Sequence, residues 1–229
     1  MANVQKIGLL LFPDVTQLDL TGPFEVFART PDMECHLIWK DLQPVRSDRG
    51  LSLLPTTTFA NCPPLDVICV PGGPGQIALM SDNETLHFLR KQARNVQLIT
   101  SVCTGSLILG AAGLLQGYRA TSHWSSIDQL ALLGAEPVAA RVVRDRNRLT
   151  GAGVTSGIDF ALTLVAELRG AAVAQAVQLQ MEYDPQPPFD AGSPRSAPVE
   201  MVRAVREKMA DFIAARRKAT EYAAEKLKS

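Results

Sequence analysis

The chain has 229 residues, 46% of them hydrophobic and 20% charged, and its 23 basic and 23 acidic side chains cancel. That balance excludes the basic footprint of a nucleic-acid or membrane-surface binder, and no apolar run approaches the ~20 residues of a transmembrane helix. The opening MANVQKIGLLLF reads as a first core strand rather than a signal peptide. The expected location is therefore the cytoplasm, with Cys35, Cys62, Cys69 and Cys103 reduced.

In chain order, residues 7–12 are a continuous apolar strand ended by Pro13-Asp14. A loop holding Asp19 follows, then a helix over 24–29 with Pro23 at its start. Residues 35–40 form a second strand, and 45–46 with 51–54 form a hairpin across Ser47-Asp48-Arg49-Gly50. Residues 67–70 are a short buried strand running into Pro71-Gly72-Gly73-Pro74-Gly75, and Asp82 caps a helix over 83–95. Residues 97–102 make a β-branched apolar strand, and a small-residue helix follows from Thr104. Residues 119–122 are extended, 125–133 form a helix closed by Gly134, and 141–145 and 148–150 flank a turn at Asn147. Thr155-Ser156 caps an apolar helix over 158–168, and a further helix covers 171–182. A Pro-rich segment, 184–198, leads to a charged, Ala-rich amphipathic helix over 199–228, suited to a surface or dimer contact.

Continuous apolar strands alternating with helices predict a parallel sheet covered on both faces, with right-handed crossovers. We read residues 1–229 as one α/β domain, since no composition break precedes the Pro-rich segment. In such sheets ligands bind beyond the carboxyl ends of the strands. Three informative loops end there: those of Asp19, of Gly72-Gly73 and of Cys103.

Ser101-Val102-Cys103-Thr104-Gly105 is a cysteine variant of the G-x-S-x-G nucleophile elbow. A thiol lifted to a helix N-terminus is expected to have a depressed pKa and to act as a nucleophile; the competing reading is an inert core cysteine. Asp19 either caps a helix or lies against Cys103, where repulsion between the two anions raises the carboxyl pKa and a proton is shared. The Gly72 and Gly73 amides supply an oxyanion hole, or simply a Gly-Pro turn. Thr104 donates a hydroxyl into the site or serves as a helix first-turn residue. His123, beside Trp124, is the one histidine considered as a base, with a structural role equally open. The cysteine spacing holds no metal-ligand pattern, so neither metal nor organic cofactor is expected.

Together, LLLFPDVTQLDLTGPFEVF, DVICVPGGPG, TSVCTGSLILGAAGLLQG, ATSHW and LTGAGVTSGIDFALTLVAEL resemble the ThiJ/PfpI superfamily and, within it, the isocyanide hydratase branch, from about residue 6 into the C-terminal helix. The resemblance implies a flavodoxin-like α/β sandwich, a homodimer, a reactive cysteine at Cys103 and an acidic partner at Asp19. Most of the superfamily carries Glu where this chain has Asp19, as the hydratases do. Protease-like relatives carry His directly after the cysteine, and Thr104 here speaks against a peptidase. The implied reaction adds water to an isocyanide to give an N-substituted formamide through a covalent cysteine thioimidate. Two other readings stay open: a glyoxalase or deglycase acting on 2-oxoaldehydes, and a non-enzymatic redox-sensing or chaperone-like dimer. The motifs are also close to the sensor domains of AraC-type regulators, which carry a further helix-turn-helix region not expected in these 229 residues.

Overall fold

The computed structural model describes residues 4–228, so the expected span of 1–229 reaches past the described residues at both ends. Seven strands form the central sheet: β1 (Gln5–Leu10), β2 (Met33–Trp39), β3 (Thr57–Thr58), β4 (Val67–Val70), β5 (Leu98–Val102), β6 (Val142–Asp145) and β7 (Arg148–Gly151). Their order is β6-β7-β5-β4-β1-β2-β3, and every neighbouring pair is parallel except the β6–β7 hairpin. The sheet is thus mostly parallel and wrapped by helices, a flavodoxin-like α/β fold. Strand β4 is buried at all four positions and β5 at all five, which is why both read as unbroken apolar runs rather than alternating ones.

Besides a single helical turn at Gln76–Leu79, the helices are α1 (Gln17–Ala28), α2 (Asn83–Gln92), α3 (Gly105–Ala111), α4 (Ser156–Arg169), α5 (Ala171–Gln180), α6 (Val199–Lys208) and α7 (Ala210–Lys226). Helix α1 packs on α4, α2 on α3, and α7 on α3 and on the 3-10 helix Ile127–Leu133. Asp82 caps α2 as expected, its carboxylate accepting from the Thr85 amide at 2.8 Å.

Four local expectations are corrected. Helix α1 starts at Gln17, seven residues before position 24, and runs through Pro23, so Asp19 sits on a helical first turn and not in a loop. The chain reaches that start through a left-handed Asp14 (φ 59°), and Pro23 is accommodated where α4 presents Gly157, whose Cβ would lie only 3.1 Å from the Pro23 ring. Thr155 makes no side-chain cap bond to α4. Residues 127–133 wind as a 3-10 helix, closed by Gly134 at φ 80°. The single C-terminal helix is two: α6 ends at Lys208 and α7 begins at Ala210, with Met209 at φ −99° between them.

Candidate active site

Strand β5 delivers Cys103 at the carboxyl edge of the sheet, and its backbone there is left-handed, φ 57°. A non-glycine residue in that region stores strain, of order 1–3 kcal/mol, and is held only when its surroundings over-determine it. Three contacts do so. The Cys103 amide donates to the Gly151 and Ala152 carbonyls at 3.0 and 2.8 Å. Its carbonyl accepts from the Ser106 and Ser122 hydroxyls, both at 3.1 Å. Gly105 lets the turn close on β4, since a Cβ there would sit 2.0 Å from the Val70 carbonyl oxygen. The elbow expected from the small residues around Cys103 is therefore present in the backbone.

Asp19 is fully buried, and its Oδ2 accepts from the Gly72 amide at 3.0 Å. Thr104, also buried, accepts through Oγ1 from the Gly73 amide at 3.1 Å. Gly72 is the point where these groups converge: a Cβ on it would lie 2.6 Å from the Thr104 amide nitrogen and 2.8 Å from Asp19 Oδ2. The Gly72 and Gly73 amides, expected to supply an oxyanion hole, are both engaged by side chains, those of Asp19 and Thr104. Asp19 Oδ1 is buried with no amide or hydroxyl donor among the described residues.

Burial pushes the Asp19 carboxyl up to about 7, against the opposing pull of its interactions with Cys103 and the Gly72 amide. The expected rise is present, but its main cause is desolvation and not repulsion between anions. The depressed thiol pKa expected at a helix N-terminus is overturned: burial, then the Asp19 charge, hold Cys103 well above the ordinary thiol range. The Thr104 amide and the Arg216 charge pull the other way and lose. Thiol and carboxyl hydrogen-bond to each other, and each shifts the other's proton affinity. Cys103 itself is only 6% exposed, so access to the sulfur is narrow.

His123 makes its hydrogen bond outside this pair. Its Nδ1 lies 2.8 Å from Ser125 Oγ, its ring is tilted beside Trp124 at 5.6 Å between centroids, and burial holds it down at about 4. The ring is therefore neutral and hydrogen-bonded to Ser125. Sequence reasoning missed a neighbour: Arg216 of α7, 3% exposed, reaches Gln76, Ser125 and Ser126. Its signal was faint, since it heads the charged run Arg216-Arg217-Lys218. Among the described residues no three His, Cys, Asp or Glu side chains are grouped to hold a metal ion, and no helix is long and apolar enough to cross a membrane.

Comparison with known proteins agrees with this arrangement. An isonitrile hydratase of Pseudomonas putida is 60% identical over 222 residues, covering 97% of each chain. The transcriptional regulator GbdR of Pseudomonas aeruginosa is 32% identical over 192 residues, 80% of this chain but 52% of its own length. The crystal structure of a ThiJ/PfpI family protein from Pseudomonas syringae superposes with a TM-score of 0.93 at 50% identity, covering 96% of this chain and 91% of that one. The DJ-1/PfpI family model matches residues 5–167, strand β1 through almost all of α4. With the elbow cysteine, the buried acid of α1 and the parallel sheet all inside that stretch, the chain belongs to the DJ-1/PfpI family.

Proposed function

We propose that the protein is an isocyanide hydratase, converting R–N≡C and water to the formamide R–NH–CHO. The observation that carries this reading is the buried Asp19–Cys103 pair, a carboxyl that gains and loses its proton near neutrality beside a sulfur nucleophile. The P. putida relative, whose name gives the same activity, supports it at 60% identity over nearly the whole chain. A linear isocyanide head also suits a sulfur that is only 6% exposed.

In the proposed sequence the Cys103 sulfur bonds to the terminal carbon, and the thiol proton passes through Asp19 to that same carbon. The product is a thioimidate, R–N=CH–S. Water then adds across the C=N bond, its oxygen to carbon, while Asp19 takes one proton and returns it to nitrogen. Collapse to the formamide carbonyl breaks the C–S bond, and the hydroxyl proton goes back to the pair. Gly72 and the Gly73–Thr104 contact keep the carboxyl and the elbow in register throughout.

The remaining assignments are ours as well. Residues 4–228 read as one domain, because α7 packs on α3 and closes over the elbow's helix. A homodimer is supported by apolar side chains left exposed on the C-terminal arm: Phe189 in the Pro-rich segment, and Val199, Met201 and Val205 on helix α6, which has no buried residue. Four unbridged cysteines suit a reducing cytoplasm. The test of function is substrate choice: the purified protein is given an alkyl isocyanide in one tube and methylglyoxal in another. Formamide from the first and no lactate from the second is expected; the reverse result assigns a glyoxalase instead.

A further inference from the structure

Arg216 is a buried cation without a carboxylate. Its Nε donates to Gln76 Oε1 at 2.9 Å, its NH1 to the Ser126 hydroxyl and, at 3.4 Å, to Ser125 Oγ, and its guanidinium lies 4.4 Å from the Phe212 ring centroid. All four partners are neutral, and among the described residues Arg216 makes no ion pair. Burying an arginine this way is unfavourable unless an anion lies near enough to balance it. Its neighbours show where that anion arises. Gln76 follows the Gly72-Gly73 loop directly, and Ser125 and Ser126 follow Ser122, whose hydroxyl holds the Cys103 carbonyl. The guanidinium is thus braced by the two loops that flank the elbow.

We propose that Arg216 is a positioning residue of the active site, its guanidinium braced by Gln76, Ser125 and Ser126 as the fixed countercharge to the anion that forms at Cys103. It acts through the sulfur's proton affinity and touches no reacting atom. The charge effect is mutual: the guanidinium draws the Cys103 thiol downward, and the sulfur anion draws Arg216 upward. The guanidinium interacts by charge with Cys103 on the elbow and with His123 on the loop before Ser125. On its own helix Arg217 pairs with Asp128 and Glu221, and Asp128, Arg206 and Glu207 line a groove with Ser125, a partner of Arg216. The pull on the guanidinium comes from the Cys103 sulfur. His123 is held neutral, in part by this same charge. The last helix is then part of the active site and not only its cover. The inference rests on the thiol chemistry of the proposed hydratase, but not on the identity of its substrate.

The test reads the thiol itself, so that loss of the isocyanide reading leaves it intact. Alkylation of Cys103 by iodoacetamide is followed between pH 6 and 10 by peptide mass mapping, in the wild-type protein and in Arg216→Lys and Arg216→Gln. The Gln variant is expected to need a higher pH for the same rate, with about a tenfold lower thiolate fraction at any given pH. The Lys variant, which keeps the charge, is expected to stay nearer wild type. Identical curves for all three, or a folded Lys variant as slow as Gln, overturn the proposal. A wild-type measurement guards against a misfolded Gln variant. At pH 6, where Asp19 holds its proton, the rate ratio of anionic iodoacetate to neutral iodoacetamide at Cys103 is expected to exceed that of glutathione. A ratio equal to or below that of glutathione also overturns it. On the proposed hydratase, formamide release by the Gln variant is expected to lose kcat with KM little changed.

Discussion

The elbow around Cys103 and the helix that carries Arg216 approach the same interior by different means. The elbow is set by backbone: a left-handed Cys103, a Gly105 that admits the Val70 carbonyl, and amides that grip neighbouring carbonyls. Helix α7 is set by side chains. Of its 17 residues only Arg216, Thr220 and Ala223 are buried, and the remainder face outward or sit at the margin. Backbone geometry at a tight turn tolerates almost no substitution, whereas a helix face can be changed everywhere except along its buried stripe. The region fixed by backbone should therefore show large effects on substitution, and the C-terminal arm small ones.

The largest effect lies at the sulfur. Cys103→Ala is expected to abolish formamide release without unfolding the chain, and Asp19→Asn to reduce it about 10²–10⁴-fold, both measured as initial rates beside a circular dichroism spectrum. Normal turnover in the alanine variant contradicts the covalent route. Next comes the elbow's fit. Gly105→Ala puts a Cβ 2.0 Å from the Val70 oxygen, so the backbone has to move. A loss of at least about 1–3 kcal/mol in urea denaturation is expected, and an unchanged midpoint shows that the turn is looser than described.

The third prediction sets two buried groups beside the elbow, Asp19 and His123, against each other by pH. Asp19 keeps its proton up to about 7 in the fold but only to about 3.9 when unfolded. Its contribution is full below about pH 3.9 and is lost as pH rises through 7. His123 is held at about 4 in the fold against about 6.5 unfolded. Its contribution is present above about pH 6.5 and is lost as pH falls through 4. Over roughly pH 4–6.5 the two slopes oppose, each at most about 1.4 kcal/mol per pH unit. Asp19→Asn should leave stability rising with pH across that window, and His123→Gln should leave it falling. Slopes of the same sign in the two variants contradict the burial assigned to one of them.

Much of the elbow was legible because its signal is local: a β-branched run, a cysteine and two small residues within a few positions. The mostly parallel sheet was legible for a similar reason, since strands buried on both faces cannot alternate. What was misplaced depended on contacts distant in sequence. Asp19 reads as a loop residue because Pro23 suggests a helix start, yet α4 offers Gly157 opposite that proline and the helix runs through it. The proton affinity of Cys103 was misjudged because a helix terminus is visible in a sequence, whereas burial by elements distant along the chain is not. Arg216 was missed because three adjacent cations look alike until one of them is covered.

The smallest effects belong to the arm. Met201→Glu or Val205→Glu on α6 changes an exposed side chain and is expected to move stability by no more than about 0.5 kcal/mol. The same change should shift the molecular mass seen by light scattering from dimer to monomer. A mass unaffected by both variants removes α6 from the proposed dimer contact.

The central claim is that the Cys103 sulfur becomes covalently attached to the substrate carbon while Asp19 moves the protons. Rapid-quench intact-protein mass spectrometry during turnover of an alkyl isocyanide tests it most directly. The account predicts a transient species heavier by one isocyanide, mapped to the Cys103 peptide, absent in Cys103→Ala and longer-lived in Asp19→Asn. Formamide accumulating while every quenched sample, from the wild type and the Asp19→Asn variant alike, holds only unmodified protein contradicts it.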